Sequence, residues 1–405
     1  MGGKGRLTGI VIITMLAVLT SGCWDRRELQ DRNFVMAVAI DVAEAGEKPG
    51  QSQAARQTET FIQPHGDKRY RVSMQVLRLS PAGSDSQQSG SGNAGGRTFV
   101  VSNIGQSIFE ILRDMLGQVS KPLYFEHIQA IVISEAAAQK AGIKPIIDLF
   151  LRDAEMRWRI KVFITPGEAR PIIEYVPPNK EAGGIYLANI LRNHIKNIHV
   201  AGARTDLGNI SVTLDNKQDM AIPRIEMEDN IVKSSGVALF KQDKFVGYAD
   251  EQAVAGIKFI RATEKSAIIT VLGDNPDEVV AFELFMHDTR LAAHVDGDNI
   301  YFTLDINMQG NLGEYQAPGQ IKGAADPAFI RRIEVKTAAE VKRIVLYAKD
   351  TCQSRGSDVL NFSTKLKAYH PQTWAKVKDH WDELFPYIPL VVSVNVVINQ
   401  IGEHR

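Results

Sequence analysis

"HIQAIVISEAAAQKAGIKPIIDLFLRDAEMRWRIKVFIT", His127 to Thr165, opens and closes on apolar runs of strand length and carries a helical segment between them. "HIQAIVIS" (His127–Ser134) and "WRIKVFIT" (Trp158–Thr165) read as strands, and Pro145–Leu151 reads as a helix. Strand, helix and strand in order argue for an α+β, or mixed α/β, domain.

Upstream, "FVMAVAIDV" (Phe34–Val42) has the unbroken apolarity of a buried strand. Tyr70–Leu79 alternates instead, with Tyr70, Val72, Met74 and Val76 expected inward and Arg71, Ser73 and Gln75 outward. Ile104, Ile108, Ile111, Leu112 and Met115 fall at helical spacing and predict a helix over Asn103–Leu116. Ala182–His194 predicts another. From Gly202 to Asp229 the chain turns polar and rich in Gly, Asn and Asp, which is the composition expected where one domain gives way to the next.

In the second half, Gln242-Asp243 is a turn candidate between two short strands. Tyr301–Met308 alternates cleanly, with Phe302, Leu304, Ile306 and Met308 on one face. The clearest helix is Pro327–Cys352, whose Ile333, Thr337, Val341, Ile344, Ala348 and Cys352 recur every three or four residues. Cys352 therefore belongs to a core face and reads as a small buried hydrophobe. A last helix starts with Pro371 in its first turn and carries Trp374, Val377, Trp381 and Leu384, and "LVVSVNVVI" (Leu390–Ile398) reads as a mostly buried strand. The expected organisation is a leader over 1–22, an N-terminal α/β domain over 23–200, a linker over 201–231 and a C-terminal domain over 232–405 that can split in two.

The chain has 405 residues, enough for two or three domains, and 44% hydrophobic with 23% charged residues is the balance of an ordinary globular protein. Forty-seven basic residues against forty-seven acidic ones leave no net charge, so nucleic acid is not the expected partner. Two cysteines make neither a disulfide framework nor a four-thiolate metal site.

One of those cysteines sits in "LTSGCWDRREL" (Leu19–Leu29). Lys4 and Arg6 precede an apolar stretch, Leu7–Leu19, that is long enough for a signal-peptide core and too short to span a bilayer. The stretch ends in Thr20-Ser21-Gly22-Cys23, which resembles a bacterial lipobox with Thr20 where leucine is usual. Cys23 is then the thiol that takes a diacylglyceryl group and becomes the new N-terminus. The alternatives are an uncleaved anchor helix, or cleavage after Ser21 or Gly22 that leaves Cys23 free. Two acyl chains hold a protein stably on a membrane where one is marginal. In the tether Trp24–Arg32, Arg26, Arg27 and Arg32 are balanced by Asp25, Glu28 and Asp31, so its charge adds little attraction to anionic lipid.

Catalytic patterns do not stand out. Gly90, Gly92 and Gly95 formally spell GxGxxG, yet they lie in a Ser/Gln/Gly-rich stretch with no strand leading in, which is a loop composition. The nine histidines are dispersed, and the closest pair, His194 and His199, has surface spacing. Arg152, Asp153, Glu155, Arg157 and Arg159 read as a salt-bridged connection, and Glu226 and Glu228 as solvated linker carboxylates. No catalytic residue, cofactor or metal ligand is expected.

Several stretches together resemble the Ger(x)C family, the lipoprotein C subunit of the nutrient germinant receptors of endospore-forming bacteria. They are "GCWDRREL" (Gly22–Leu29), "AIDV" (Ala39–Val42), "HIQAIVISEAAAQKAGIKPIIDLFLRDAEMR" (His127–Arg157), "GVALFKQDKFVG" (Gly236–Gly247) and "HPQTWAKVKDHWDELFP" (His370–Pro386). "DVLNFSTKL" (Asp358–Leu366) departs from the family's more glycine-rich version of that turn. The resemblance implies a multi-domain ectodomain of mixed sheets with packed helices, in three small domains. It also implies attachment to the outer face of the spore inner membrane beside two integral membrane subunits, one of them transporter-like. Cys23 is the one functional position that carries over. The competing readings are a solute-binding lipoprotein of a transporter, which requires a deep interlobe cleft, and a lipid-anchored hydrolase, which requires a converging nucleophile and base.

Overall fold

The computed structural model describes residues 31–43, 69–78, 97–202, 205–263, 266–316 and 326–401. The first part of the chain forms β1 (Asn33–Val42), β2 (Tyr70–Leu77), β3 (Thr98–Gly105), α1 (Ile108–Met115), β4 (Leu123–Tyr124), β5 (Ala130–Ser134), α2 (Glu135–Ala141), α3 (Ile143–Arg152) and β6 (Lys161–Thr165). Next come α4 (Arg170–Glu174), α5 (Gly183–Ile190), α6 (Leu207–Asp215), β7 (Met220–Glu228), β8 (Ile231–Lys241), β9 (Lys244–Ala249) and α7 (Glu251–Arg261). The last part forms β10 (Ala267–Leu272), β11 (Val279–Asp296), β12 (Asn299–Gln316), α8 (Pro327–Ser354), α9 (Phe362–Tyr369), α10 (Pro371–Val377), α11 (Trp381–Leu384) and β13 (Leu390–Ile401).

These elements make two mixed sheets with helices packed on them, a multi-domain α+β fold. The first sheet has nine strands in the order β3-β2-β1-β5-β6-β7-β8-β9, with β4 beside β1. Its centre, β1-β5-β6-β7, is parallel, and β3-β2-β1 on one flank and β7-β8-β9 on the other are antiparallel. Both faces are covered, which is why β1 and β5 read as unbroken apolar runs. Val35, Val38 and Ile40 face one core with α1, α2 and α3, while Ala37 and Ala39 face the other. The small residues on that second face let α5 approach closely: a Cβ on Gly184 would overlap the Met36 carbonyl.

Double coverage also corrects the expected outward direction of Ser73 and Gln75, both of which are buried. Their polarity is satisfied inside. The Gln75 amide donates to the Ile173 carbonyl at 2.6 Å and accepts from Gly184 N at 3.0 Å, and Ser102 Oγ donates to Ser73 Oγ at 2.7 Å. The expected helix over Asn103–Leu116 begins only at Ile108, because Thr98–Gly105 pairs with β2 along its whole length. Helical spacing at Ile104 loses to a ladder of cross-strand hydrogen bonds that local sequence does not reveal.

Residues 207–228, within the expected linker, fold as α6 and β7. Asp206 caps α6 by accepting from Asn209 N, and Leu207 and Ile210 are buried. β7 joins β6 through a single pair, Ile164 with Arg224, and then pairs along β8. The β8-β9 hairpin, turning at Gln242-Asp243, thus completes the first sheet.

The second sheet runs β10-β11-β12-β13. β11 and β12 form a long antiparallel hairpin of two 18-residue strands, and β13 lies parallel to β12. Phe302, Leu304, Ile306 and Met308 are buried on one face under α7, α8 and α9, as their alternation predicts. α8 buries Ile333, Thr337, Val341, Ile344, Ala348 and Cys352. β13 is half-covered rather than mostly buried: Leu390, Val392 and Val396 face the core, while Val391 is 58% exposed. An edge strand with helices on one side only has no second layer to cover its other face.

α7 connects the two sheets. Ala253 to Ile260 are all buried, packed against β8 and β9 on one side and against α8 and β11 on the other. The one charge in this stretch, Lys258, donates from Nζ to the carbonyls of His194 at 3.3 Å and Asn197 at 3.2 Å. The His194 carbonyl lies in the last turn of the short 3-10 helix Leu191–Ile195, where partial negative charge suits an ammonium, and that of Asn197 lies just beyond it. A Cβ on Gly256 would overlap the Ile344 carbonyl and Ala348 Cβ of α8.

Asp219, half-buried, and Asp358, buried, tie the start of β7 to the turn after α8. Asp219, just before β7, accepts from Gln242 N at 2.9 Å and from Asp358 N at 2.7 Å. Asp358, in the turn after α8, accepts from Phe362 N at 3.0 Å, Ser363 N at 2.7 Å and Trp381 Nε1 at 3.2 Å. The departure at "DVLNFSTKL" is therefore a capping turn, with Asn361 in the left-handed region at φ 68°. Burial pushes the Asp358 carboxyl up to about 6, against the hydrogen bonds from Ser363 and Phe362. Asp219 is raised by burial as well, against the hydrogen bonds from Asp358 N and Gln242 N.

Two outcomes follow from this packing. Gly256→Ala should lower the unfolding free energy by roughly 1–3 kcal/mol in urea denaturation, the usual cost of overpacking. Gly117→Ala, whose added methyl meets open space, should change it by less than about 0.5 kcal/mol. For Asp358, the raised folded pKa means that its contribution to stability is complete below about pH 4 and lost as pH rises through about 6. Wild type should therefore lose on the order of 1 kcal/mol relative to Asp358→Asn between pH 5 and pH 7.5. A pH-independent gap would mean that the carboxyl ionises as it does in water.

Candidate functional site

Cys23 and the tether as far as Gln30 lie outside the described residues, as do Gly90, Gly92 and Gly95. What the structure fixes is where the tether arrives. Asn33 donates from its backbone N to the Pro122 carbonyl at 2.9 Å and from Nδ2 to the Lys121 carbonyl at 2.8 Å. Phe34 then packs edge-on against Tyr124 and His127, with ring centroids 5.7 and 5.0 Å away. Eight residues of fully extended chain span on the order of 30 Å, which sets the greatest distance between Cys23 and Asp31.

A cavity of about 370 Å³ opens at this point, where β1 and β3 begin and β2 ends. Three cations, Arg32, Arg78 and Lys121, line it together with the apolar side chains of Leu77, Phe99 and Val119. The Arg32 guanidinium lies 4.3 Å from the Tyr124 ring centre, and that of Arg78 lies 5.8 Å from the ring centre of Phe99. The helix that precedes the lining stretch Gln118–Lys121, α1, buries Ile108, Ile111, Leu112 and Met115 and turns Phe109 and Arg113 outward, and Leu116 just after it is exposed too. Phe109 is 50% exposed, Leu116 is 41% exposed, and Arg113 sits over the Phe109 ring. In the sequence, Arg32 is legible only as part of a balanced tether, and Arg78 and Lys121 carry no pattern. Their convergence depends on the pairing of β1 with β2 and β4.

Polar groups placed where a site could form make structural bonds instead. In a partly parallel sheet, ligands usually bind beyond the carboxyl ends of the strands. Here Asp41, in the "AIDV" stretch, is buried at that end and accepts from Ala169 N at 2.7 Å and Arg170 N at 3.2 Å. Burial raises its pKa, while those two N–H groups pull it back. Ser134 on β5 accepts from Ala137 N and so caps α2. The gap between the sheets, where an interlobe cleft would open, holds α7.

The charge cluster is an ion-paired connection: Arg152 meets Asp148 at 2.8 Å, Arg157 meets Glu126 at 3.1 Å, and Glu155 accepts from Phe125 N at 3.3 Å. His194 and His199 do not converge on a shared site, each ring bonding a backbone carbonyl, Leu191 and Glu251 respectively. Glu226 and Glu228 are strand residues on β7 rather than free linker carboxylates, paired with Arg224 and Lys233. Cys352 is fully buried, and that burial raises its thiol pKa, which keeps it protonated and unreactive. Among the described residues, no group of three or more His, Cys, Asp or Glu side chains is placed to hold a metal ion, and no helix is long and apolar enough to cross a membrane.

Comparison with known proteins covers the chain nearly end to end. The family "Spore germination protein N-terminal domain" matches residues 25–227, and "Spore germination B3/ GerAC like, C-terminal" matches residues 235–402. The two matches meet at β7 and β8, so the second contributes the hairpin that completes the first one's sheet. Spore germination protein YndF of Bacillus subtilis is 27% identical over 98% of each chain. Spore germination protein KC of the same organism is 22% identical over 97% of this chain and 95% of its own. The crystal structure of the GerBC protein superposes with a TM-score of 0.56 at 18% identity, over 90% of this chain and 98% of that one, a likeness of fold. With both halves matched in order and the two-sheet architecture shared, the chain belongs to the GerAC family of spore germination proteins.

Proposed function

We propose that this chain is the lipid-anchored, non-enzymatic C subunit of a nutrient germinant receptor. Cys23 carries a diacylglyceryl group, and the folded body acts on the outer face of the spore inner membrane through contacts with integral membrane subunits. The observation that carries this reading is the match to germination families along residues 25–402 of a chain whose Cys23 follows a lipobox-like Thr20-Ser21-Gly22. The short reach from Cys23 to β1 supports it. A body held within on the order of 30 Å of the bilayer stays beside partners that share the membrane, and tethering raises their effective concentration without any new contact. The interior supports it too, because the buried groups with the most chemical potential, Asp41, Ser134 and Cys352, are occupied in capping or packing.

Cys23→Ala should leave the body folded, with an unchanged urea midpoint, while the protein moves from the membrane to the soluble fraction of spores and nutrient-triggered germination slows. Mass spectrometry of the mature N-terminus should find Cys23 acylated. Full membrane retention and normal germination in Cys23→Ala would overturn the reading. The same soluble body should show no micromolar binding of amino acids or sugars in calorimetry; such binding would favour a solute-binding lipoprotein instead.

A further inference from the structure

The cationic cavity at the start of β1 has no part in the family assignment, yet its place and chemistry are specific. We propose that it binds the phosphate headgroup of an anionic phospholipid and so orients the folded body on the bilayer. This deepens the proposed function and rests on it for the short tether.

Several observations agree. Arg32, Arg78 and Lys121 line the cavity, and no acidic side chain is among its described lining. Asp31, Glu110 and Asp114 belong to neighbouring segments without lining it. Guanidinium groups meet phosphate oxygens with paired N–H donors, and a volume of about 370 Å³ is within the range of small-ligand sites. A soluble phosphate would meet the cations but leave Leu116, two residues before the lining residue Gln118, exposed. A lipid surface meets both, because apolar side chains next to cations are the composition of interfacial contacts. Distance also favours lipid: the tether that arrives at Arg32 cannot hold the cavity farther than on the order of 30 Å from an acylated Cys23. The tether is charge-balanced, so the attraction for anionic lipid is supplied by cations that the fold brings together.

The anchor and the cavity then do different things. An acyl anchor fixes distance but leaves the body free to rotate, whereas a headgroup held by Arg32, Arg78 and Lys121 turns one edge of the first sheet toward the membrane.

The test uses the mature chain with Leu116 replaced by the photo-crosslinking residue p-benzoyl-phenylalanine, mixed with vesicles of phosphatidylcholine and phosphatidylglycerol. Lipid adducts read by mass spectrometry should be enriched in phosphatidylglycerol over the bulk composition. Enrichment should fall to near the bulk ratio in Arg32→Gln/Arg78→Gln/Lys121→Gln, since each cation near an anionic surface supplies part of the attraction. It should also fall for the unaltered cations in high salt, an arm that does not depend on the variant's folding. Adducts that mirror the bulk lipid and ignore both changes overturn the proposal, as does the absence of adducts. Acylation of Cys23 is read separately from the mass of the N-terminal peptide. An acylated chain without enrichment sinks the cavity and leaves the anchor; an unacylated chain that still enriches phosphatidylglycerol does the reverse.

Discussion

Helix α7 is apolar or small at every position from Ala253 to Ile260 except Lys258, and it is buried throughout because two sheets claim opposite sides of it. Val254, Ile257, Phe259 and Ile260 lie within the core that runs continuously from the first sheet into the second. Side chains of this size contribute roughly 1.5–3 kcal/mol each when buried. A helix so placed cannot leave one sheet without uncovering the other. Gly256 lets α8 approach its backbone, and Lys258 places its charge on carbonyls at and just beyond the end of a short helix in the N-terminal half. The separation into N- and C-terminal family segments is therefore a separation of sequence more than of folding energetics.

That constraint shapes what the molecule can do. A binding protein that closes on a solute needs two lobes free to move about a cleft, and here α7 packs against strands of both sheets, while Asp219 ties the start of β7 to the turn after α8. Other polar groups that could look like chemistry are likewise engaged in structure: Asp41 on the backbone of the segment leading into α4, Asp358 on the turn into α9, Gln75 on α5. A protein whose most deeply placed carboxylates and amides hold backbone is suited to presenting surface. The surface with most character is the edge where the chain arrives from its N-terminus, cationic and apolar together.

An acyl anchor and a weak headgroup site would cooperate by the arithmetic of two membrane signals, in which neither needs to be strong once the other is engaged. The first restricts the body to a thin layer above the bilayer, and the second restricts its orientation within that layer. Contacts with membrane-embedded partners then become encounters between surfaces already close and already turned toward each other.

The elements with strong internal periodicity are legible in the amino-acid order itself: the alternation at Tyr301–Met308, the long apolar stripe from Ile333 to Cys352, and the unbroken apolar runs of β1 and β5. Each is a case in which one chain segment carries its own burial pattern. The candidate lipidation position is legible in the same local way, because an export signal is read in one dimension. What the sequence alone leaves undetermined depends on partners distant along the chain. Ser73 and Gln75 look like surface until helices cover both faces of β2, Asn103–Gly105 looks like the start of a helix until Thr98–Gly105 pairs with β2, and residues 207–228 look like a connection until β7 finds β6 and β8. The cavity at Arg32, Arg78 and Lys121 joins residues from three separate stretches. Local pattern sets which segments want burial, whereas only tertiary contact decides which polar atoms find partners inside and which charges gather at one edge of a sheet.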